Sequence, residues 1–150
     1  MRRIDFYQIG PAGLEKVMLM LLTKTLAAEK RALILCPMPA ANAIDTVLWS
    51  YEPDSWIPHG LDGADGAEHC RVWISSDMTA NPINANYFFL LHGSTPAKWA
   101  SFERCFCLFD GRSDAQLQQA RNQWKEWQQC ADIILGYFVQ RADGEWIKKA

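Results

Sequence analysis

The sequence predicts an α/β fold in which a mostly parallel central sheet carries helices on both faces. Two observations lead to this prediction. Short apolar runs alternate with helix-like segments through most of the chain. Several of these runs, such as YFFLLHG at 87–93, are apolar almost throughout, which is typical of strands covered on both sides. The length of 150 residues, with no internal repeat or linker, predicts a single domain over 1–150.

Three segments have the pattern of helices. Residues 13–30 carry a wide apolar stripe at the i, i+3, i+4 spacing, and a second helix is predicted from about residue 40 to 51. A third helix is predicted over 113–131, with Ser113 as its N-cap. Its predicted apolar stripe consists of Leu117, Ala120, Trp124, Trp127 and Ala131.

The remaining segments are predicted as strands and turns. Residues 52–69 are rich in Pro, Gly, Asp and Glu and are predicted to form a long loop. Residues 95–103 are predicted to form a short helix or turn, and the tail a hairpin around Asp143–Gly144. The predicted strands are 4–9, 31–37, 70–76, 87–93 and 104–110.

Composition restricts the possible functions. The hydrophobic fraction of 49% and the charged fraction of 21% are typical of a globular chain. The formal net charge of -2 argues against direct binding of single-stranded DNA, although the aromatic content would fit it. No signal peptide is recognised and the longest dense apolar run, 17–22, is too short to cross a bilayer. With five cysteines expected to be reduced, the sequence predicts a cytoplasmic protein.

Motifs for catalysis or cofactor binding are weak. The turn IGPAG at 9–13 precedes a helix, but it is neither G-x-G-x-x-G nor a Walker A loop, and Pro11 lacks a backbone donor. His59, His69 and Cys70 lack the paired spacing of metal ligands. The sequence therefore predicts no catalytic residue, no metal and no cofactor.

An exposed aromatic patch is predicted where the second helix ends. On a helical wheel Trp49 lies about 150 degrees from the apolar stripe, which should face the sheet. The stripe consists of Ile44, Val47, Leu48 and Tyr51. The next segment supplies Trp56, Ile57 and Pro58, with His59 at the rim of the patch. Such clusters mark protein interfaces, although the long loop could instead fold back and bury the rings.

The same residues resemble the chi subunit of bacterial DNA polymerase III. The most specific similarity is the helix-terminal LW at 48–49 followed by DSWIPHG at 54–60. Supporting similarities are DFYQI at 5–9, RALILC at 31–36 and QARNQWKEW at 119–127, so that the resemblance covers nearly the whole chain. It implies a Rossmann-like fold without nucleotide chemistry.

The resemblance also implies a non-catalytic function. Chi subunits link the clamp loader, through the psi subunit, to the C-terminal tail of single-stranded-DNA-binding protein, so that contact with DNA is indirect and no membrane is involved. Carried over, psi or an equivalent clamp-loader component would bind the patch of Trp49, Trp56, Ile57, Pro58 and His59.

A second site is expected on the last long helix. Arg121 and Lys125 are one turn apart and flank Trp124, a pattern that the resemblance assigns to binding of the acidic, aromatic-ended tail. Leu117 stands where the family has another lysine, so tail binding would either be weaker or depend on another cation such as Arg112. Without the resemblance, an ordinary amphipathic helix with solvated charges is the favoured interpretation of the pattern.

A different class of function is a small α/β enzyme that uses the loop at 52–69, with His59 and Asp54 as its reactive groups. Protection of His59 by a small ligand would favour the enzyme. Binding of an acidic peptide that depends on Arg121 would favour the linking role.

Overall fold

A computed structural model describes residues 2–50, 58–97 and 100–150. Its three helices and eight strands follow the predicted order closely, with one strand that the sequence did not predict. In chain order they are β1 (Arg2–Ile9), α1 (Leu14–Ala27), β2 (Ala32–Leu35), α2 (Met38–Ser50), β3 (His59–Leu61), β4 (Val72–Ser75), β5 (Tyr87–Leu91), β6 (Arg104–Asp110), α3 (Asp114–Trp127), β7 (Ile133–Gln140) and β8 (Trp146–Lys148).

All eight strands lie in one sheet, in the order β3-β4-β2-β5-β6-β1-β7-β8. Every neighbouring pair is parallel except the last, in which β8 returns antiparallel to β7 through the predicted turn. The predicted Rossmann-like α/β class, with a mostly parallel sheet and helices on both faces, is therefore confirmed.

The face that carries α1 and α2, called here the α1/α2 face, buries the stripes of both helices. Val17, Met18 and Leu22 of α1 meet β-strand side chains such as Phe89 and Phe106. Because side chains alternate along a strand, the opposite, α3 face takes the intervening positions. There Phe6, Leu33, Phe88, Cys107 and Phe109 pack with Ala120 and Trp127 of α3.

The helix α3 departs from its predicted stripe at two positions. It ends at Trp127, so that Ala131 lies beyond the helix and is exposed. Gln123, which was not predicted as part of the stripe, is buried. The Gln123 amide donates to the Thr95 hydroxyl at 2.7 Å and to the Ser94 carbonyl at 3.2 Å. The cap was predicted correctly, since the Ser113 hydroxyl accepts from the backbone N–H of Gln116.

The prediction of a structureless loop over 52–69 was wrong in its second half. Residues 59–61 form β3 at the edge of the sheet, and a short 3-10 helix follows at Ala67–His69. A strand of three residues is too short to show an alternating pattern. Of the predicted helix or turn at 95–103, residues 98 and 99 lie outside the described part, and its described residues form neither an α-helix nor a strand. No helix within the described ranges is long and apolar enough to cross a membrane.

Candidate functional site

The first candidate surface is the exposed ring of Trp49 near the end of α2. Ile44 and Leu48 are each 2% exposed and anchor the helix on the sheet. Trp49 is 63% exposed, the highest fraction for a large apolar side chain in the described part of the protein. The wheel prediction that Trp49 points away from the core is therefore confirmed.

His59 lies beneath Trp49. The two rings meet edge to face with centroids 4.7 Å apart, and the His59 side chain is only 1% exposed. Its Nε2 atom is 3.2 Å from Oδ1 of Asp45, which lies one turn before Trp49 on α2. The prediction of His59 at the rim of the patch was wrong, because β3 turns this side chain towards α2.

The rest of the predicted patch is described only in part. Pro58 is half-buried, and its carbonyl accepts backbone hydrogen bonds from Arg71 at 2.9 Å and Val72 at 3.3 Å. These bonds connect the segment to the sheet just before β3 begins. Trp56 and Ile57 lie outside the described residues, and their place in the patch stays a prediction.

The second candidate surface lies between α3 and the end of β7. Trp124 is half-buried, with its ring edge to face against Phe6 at 5.4 Å and against Tyr137 at 5.7 Å. The Tyr137 hydroxyl donates to Oε1 of Gln8 at 2.7 Å. These contacts fix the two rings as one wall of an open groove.

This surface, called here the α3–β7 groove, has a volume of about 420 Å³ and combines apolar walls with cations. Arg121 and Lys125 are exposed on α3, and within the described ranges neither forms an ion pair with another side chain. Burial raises the pKa of Tyr137, while the Arg121 charge lowers it, so the phenol is neutral at pH 7. The lining residues are Arg121, Trp124, Lys125, Gln128, Tyr137, Lys149 and Ala150.

Lys149 is a cation at the groove that the sequence did not predict. The segment after β8 runs beside Tyr137, whose carbonyl accepts from the Lys149 N–H at 2.7 Å and whose N–H donates to Ala150 at 3.1 Å. This pairing brings a third cation to the groove. The hairpin turn at 143–144 was a usable signal, because a fixed turn sets which residues face each other.

Arg112 and Leu117 do not contribute to the groove lining. Arg112 precedes α3, and its Nε atom donates to Oδ1 of Asp110 at 3.1 Å. Leu117 is half-buried and packs against the core of the α3 face. Arg112 therefore lies outside the groove lining, whereas Lys149 lies within it.

The described residues give little support to catalytic chemistry. The His59 imidazole is closed off from solvent, and Asp54 lies outside the described residues. Two backbone donors of the turn at 9–13 are occupied, since Oε1 of Gln140 accepts from the N–H groups of Gly10 and Ala12. No cluster of three or more His, Cys, Asp or Glu side chains that could hold a metal is found in the part of the chain described.

The fold and these surfaces define a Rossmann-like α/β protein whose distinctive features are an exposed tryptophan and a cation-lined groove. The chain matches the family of the DNA polymerase III chi subunit, HolC, over residues 1–131. It therefore belongs to the chi subunit family, whose members are accessory subunits of the replicative DNA polymerase. No match is found among curated proteins. Tyr137 and Lys149 lie beyond the matched residues.

Proposed function

We propose that this chain is a non-catalytic chi-type subunit that links the clamp loader, through psi or an equivalent component, to the C-terminal tail of single-stranded-DNA-binding protein. The observation that carries the proposal is the α3–β7 groove. Its position on a chain of the chi family makes a protein tail a more specific candidate than a small metabolite.

The groove is complementary to an acidic peptide that ends in an aromatic residue. The rings of Trp124 and Tyr137 offer an apolar wall for an aromatic side chain. Arg121, Lys125 and Lys149 border the same space and can bind a terminal carboxylate and neighbouring acidic groups. Because Arg121 presents a planar fork, we assign it to the carboxylate and the two lysines to the preceding acidic residues.

Trp49 is proposed as the anchor for the clamp-loader partner. Tryptophan is enriched among residues that dominate binding energy, and an indole that is 63% exposed can bury much of its surface on association. His59 supports the indole from below and is itself buried, and Asp45 in turn contacts His59. Trp56 and Ile57 remain proposed members of this surface.

A labelled acidic peptide ending in phenylalanine tests the groove by fluorescence anisotropy. The expected result is binding that weakens as salt rises, because the contacts are largely between charges. Arg121→Ala should lower the affinity by about 1.5–3 kcal/mol, as expected for a hydrogen bond to a charged group. Lys149→Ala should cost less, about 0.5–1 kcal/mol, because a flexible exposed lysine forms a weaker ion pair.

Arg112→Ala is the matched control. It removes the same type of side chain close to the start of the same helix but outside the groove lining. Equal losses for Arg112→Ala and Arg121→Ala would mean that the peptide responds to overall charge only. Binding that survives Arg121→Ala unchanged would count against the groove as the tail site.

A further inference from the structure

A third surface lies on the α1/α2 face, on the side of α1 that points away from α2. Here β1, β7 and β8 carry three half-buried rings, called the aromatic platform: Tyr7, Phe138 and Trp146. Tyr7 stacks on Phe138 at 5.1 Å with a 16° interplanar angle, and Trp146 meets Tyr7 edge to face at 5.5 Å. Within the described part of the chain, α1 packs chiefly on β2 and β6, and its Val17 and Met20 line a groove together with Trp146 of β8.

Two grooves along α1 meet at this platform. One, of about 550 Å³, is lined by Lys16, Met20 and Trp146 among others. The other, of about 280 Å³, is lined by Tyr7, Lys24, Arg104 and their neighbours. Lys16, Met20 and Lys24 are spaced by four residues, so they form one exposed stripe along α1 beside the rings.

The surroundings of the platform carry an excess of positive charge, since Asp143, the acidic side chain that lines the larger groove, pairs with Arg141 at 3.5 Å. Asp5 is fully buried, and its carboxylate accepts hydrogen bonds from Arg3 and Arg104, each with one contact of 2.9 Å. The two guanidinium groups carry two positive charges and the carboxylate carries one negative charge, so this cluster has a net charge of one positive unit. Lys148, directly opposite Phe138 in the β7–β8 pair, adds another beside Lys16 and Lys24 on α1.

The negative charge of the chain is concentrated elsewhere. Residues 38–97 contain seven acidic side chains and one basic one, whereas the other 90 residues contain ten acidic and fourteen basic ones. The net charge of -2 therefore combines an acidic segment with a basic remainder of the chain. Because net charge averages over the whole chain, it does not by itself argue against contact with DNA at a local excess of cations.

We propose that the aromatic platform and its lysine stripe bind single-stranded DNA. Rings on an open sheet face allow bases to stack, and flanking cations follow the phosphates, which is how proteins hold single strands without reading sequence. The combination of rings with an excess of cations favours a polyanion with stacking bases over an apolar protein partner. DNA is the nucleic acid present where a polymerase III subunit works.

This inference goes beyond the proposed linking function, which needs only indirect contact with DNA. Contact through the platform would be weak and local, since only three to four phosphates can meet its cations at once. For single strands the slope of log K against log salt is about -0.7 per phosphate, which predicts a slope of about -2 to -3. Such contact would position the strand while other subunits supply the affinity.

The test is anisotropy of a labelled 15-nucleotide oligothymidylate with the full chain at low salt. The double variant Lys16→Glu/Lys24→Glu should lower the affinity at least about tenfold and make the salt slope shallower by about 1.4. Trp146→Leu should also weaken binding about tenfold, while Trp146→Phe retains most of it, because stacking needs a ring. Circular dichroism of each variant checks that the fold is retained.

Arg121→Glu/Lys125→Glu is the matched control, because it makes the same change in net charge on the other face. The proposal requires this control to bind the oligonucleotide as the wild type does, and Lys16→Glu/Lys24→Glu to retain binding of the acidic tail peptide. No binding at low salt, or equal loss in both charge reversals, would overturn it. Self-association abolished by Lys16→Glu/Lys24→Glu would assign the platform to a second copy of the chain and would equally overturn it.

Discussion

The replacement Trp49→Ala separates a binding residue from a structural one. The proposal needs an indole that contributes little to the folded chain and much to a complex. If the indole were instead buried by the following loop as a structural plug, it would contribute much to the stability of the folded chain and little to a complex. The two alternatives differ in the free energy of unfolding, which can be measured without any partner.

The expected loss of stability follows from the exposure of the ring. With 63% of Trp49 exposed, roughly a third of its surface is covered, and a fully buried tryptophan covers about 150–250 Å². At about 25 cal/mol per Å² this covered part corresponds to about 1.5–2 kcal/mol. Alanine recovers about 0.5 kcal/mol because it favours the helix more strongly. The net loss should therefore be about 1–1.5 kcal/mol.

Trp73→Ala provides the contrasting value within the same chain. Trp73 is 4% exposed, and its indole N–H donates to Oδ1 of Asp62 at 3.2 Å. Truncating a buried tryptophan costs about 3–5 kcal/mol. Urea unfolding of the wild type and both variants, followed by tryptophan fluorescence, measures all three values.

Capture of the psi subunit by Trp49→Ala is then measured under conditions in which the variant is folded. Loss of an anchor residue costs about 2 kcal/mol or more, which is a decrease in affinity of about thirtyfold. If Trp49→Ala destabilised the chain as much as Trp73→Ala does, the indole would be structural and the assignment of the partner surface would fail. Undiminished capture by a folded Trp49→Ala variant would refute the assignment directly.

Two further predictions concern the core. A Cβ atom on residue 136 would collide with Oδ1 of the buried Asp5, so Gly136→Ala should lower the free energy of unfolding by about 3 kcal/mol, and an unchanged urea midpoint would contradict this. Burial raises the pKa of Cys36 to about 11 and that of Cys107 to about 12. At pH 8 a thiol reagent should therefore modify the half-buried Cys70 and Cys130 first. Mass spectrometry locates the modified sites, and early modification of Cys107 would show that its strand opens readily.

Most regular elements could be predicted because their side chains repeat with the period of the structure. The strand at 104–110 was predicted with the bounds that it has, since five apolar residues between a charged residue at each end are unambiguous. Ser113 was recognised as a cap because its hydroxyl can bond to a free N–H of the first helical turn. Exposure of Trp49 followed from the same reasoning, since the helix period alone determines which side of α2 it occupies.

The position of His59 could not be predicted, because it depends on a contact between strands. Nothing in the letters HGL at 59–61 indicates pairing with β4, and only this pairing turns the imidazole under Trp49. The sequence placed His59 at the rim of the patch, whereas in the fold its buried ring supports the Trp49 indole.

The α3–β7 groove was half predicted for a related reason. Arg121, Trp124 and Lys125 share one helix, so their spacing is sufficient to bring them together. Tyr137 and Lys149 reach them only because β7 pairs with β1 and the following hairpin returns along β7. Strand order is a property of the whole sheet, and no local pattern contains it.

The separation of the two proposed protein-binding surfaces supports a linking role. Trp49 lies on α2, which packs against β3 and β4, whereas the α3–β7 groove borders β7 on the opposite face. Between β4 and β7 the sheet advances by five strands, about 24 Å at the usual spacing. A partner on one surface therefore leaves the other open, and residues this far apart act nearly independently. A linker requires this arrangement, because it must hold both partners at the same time.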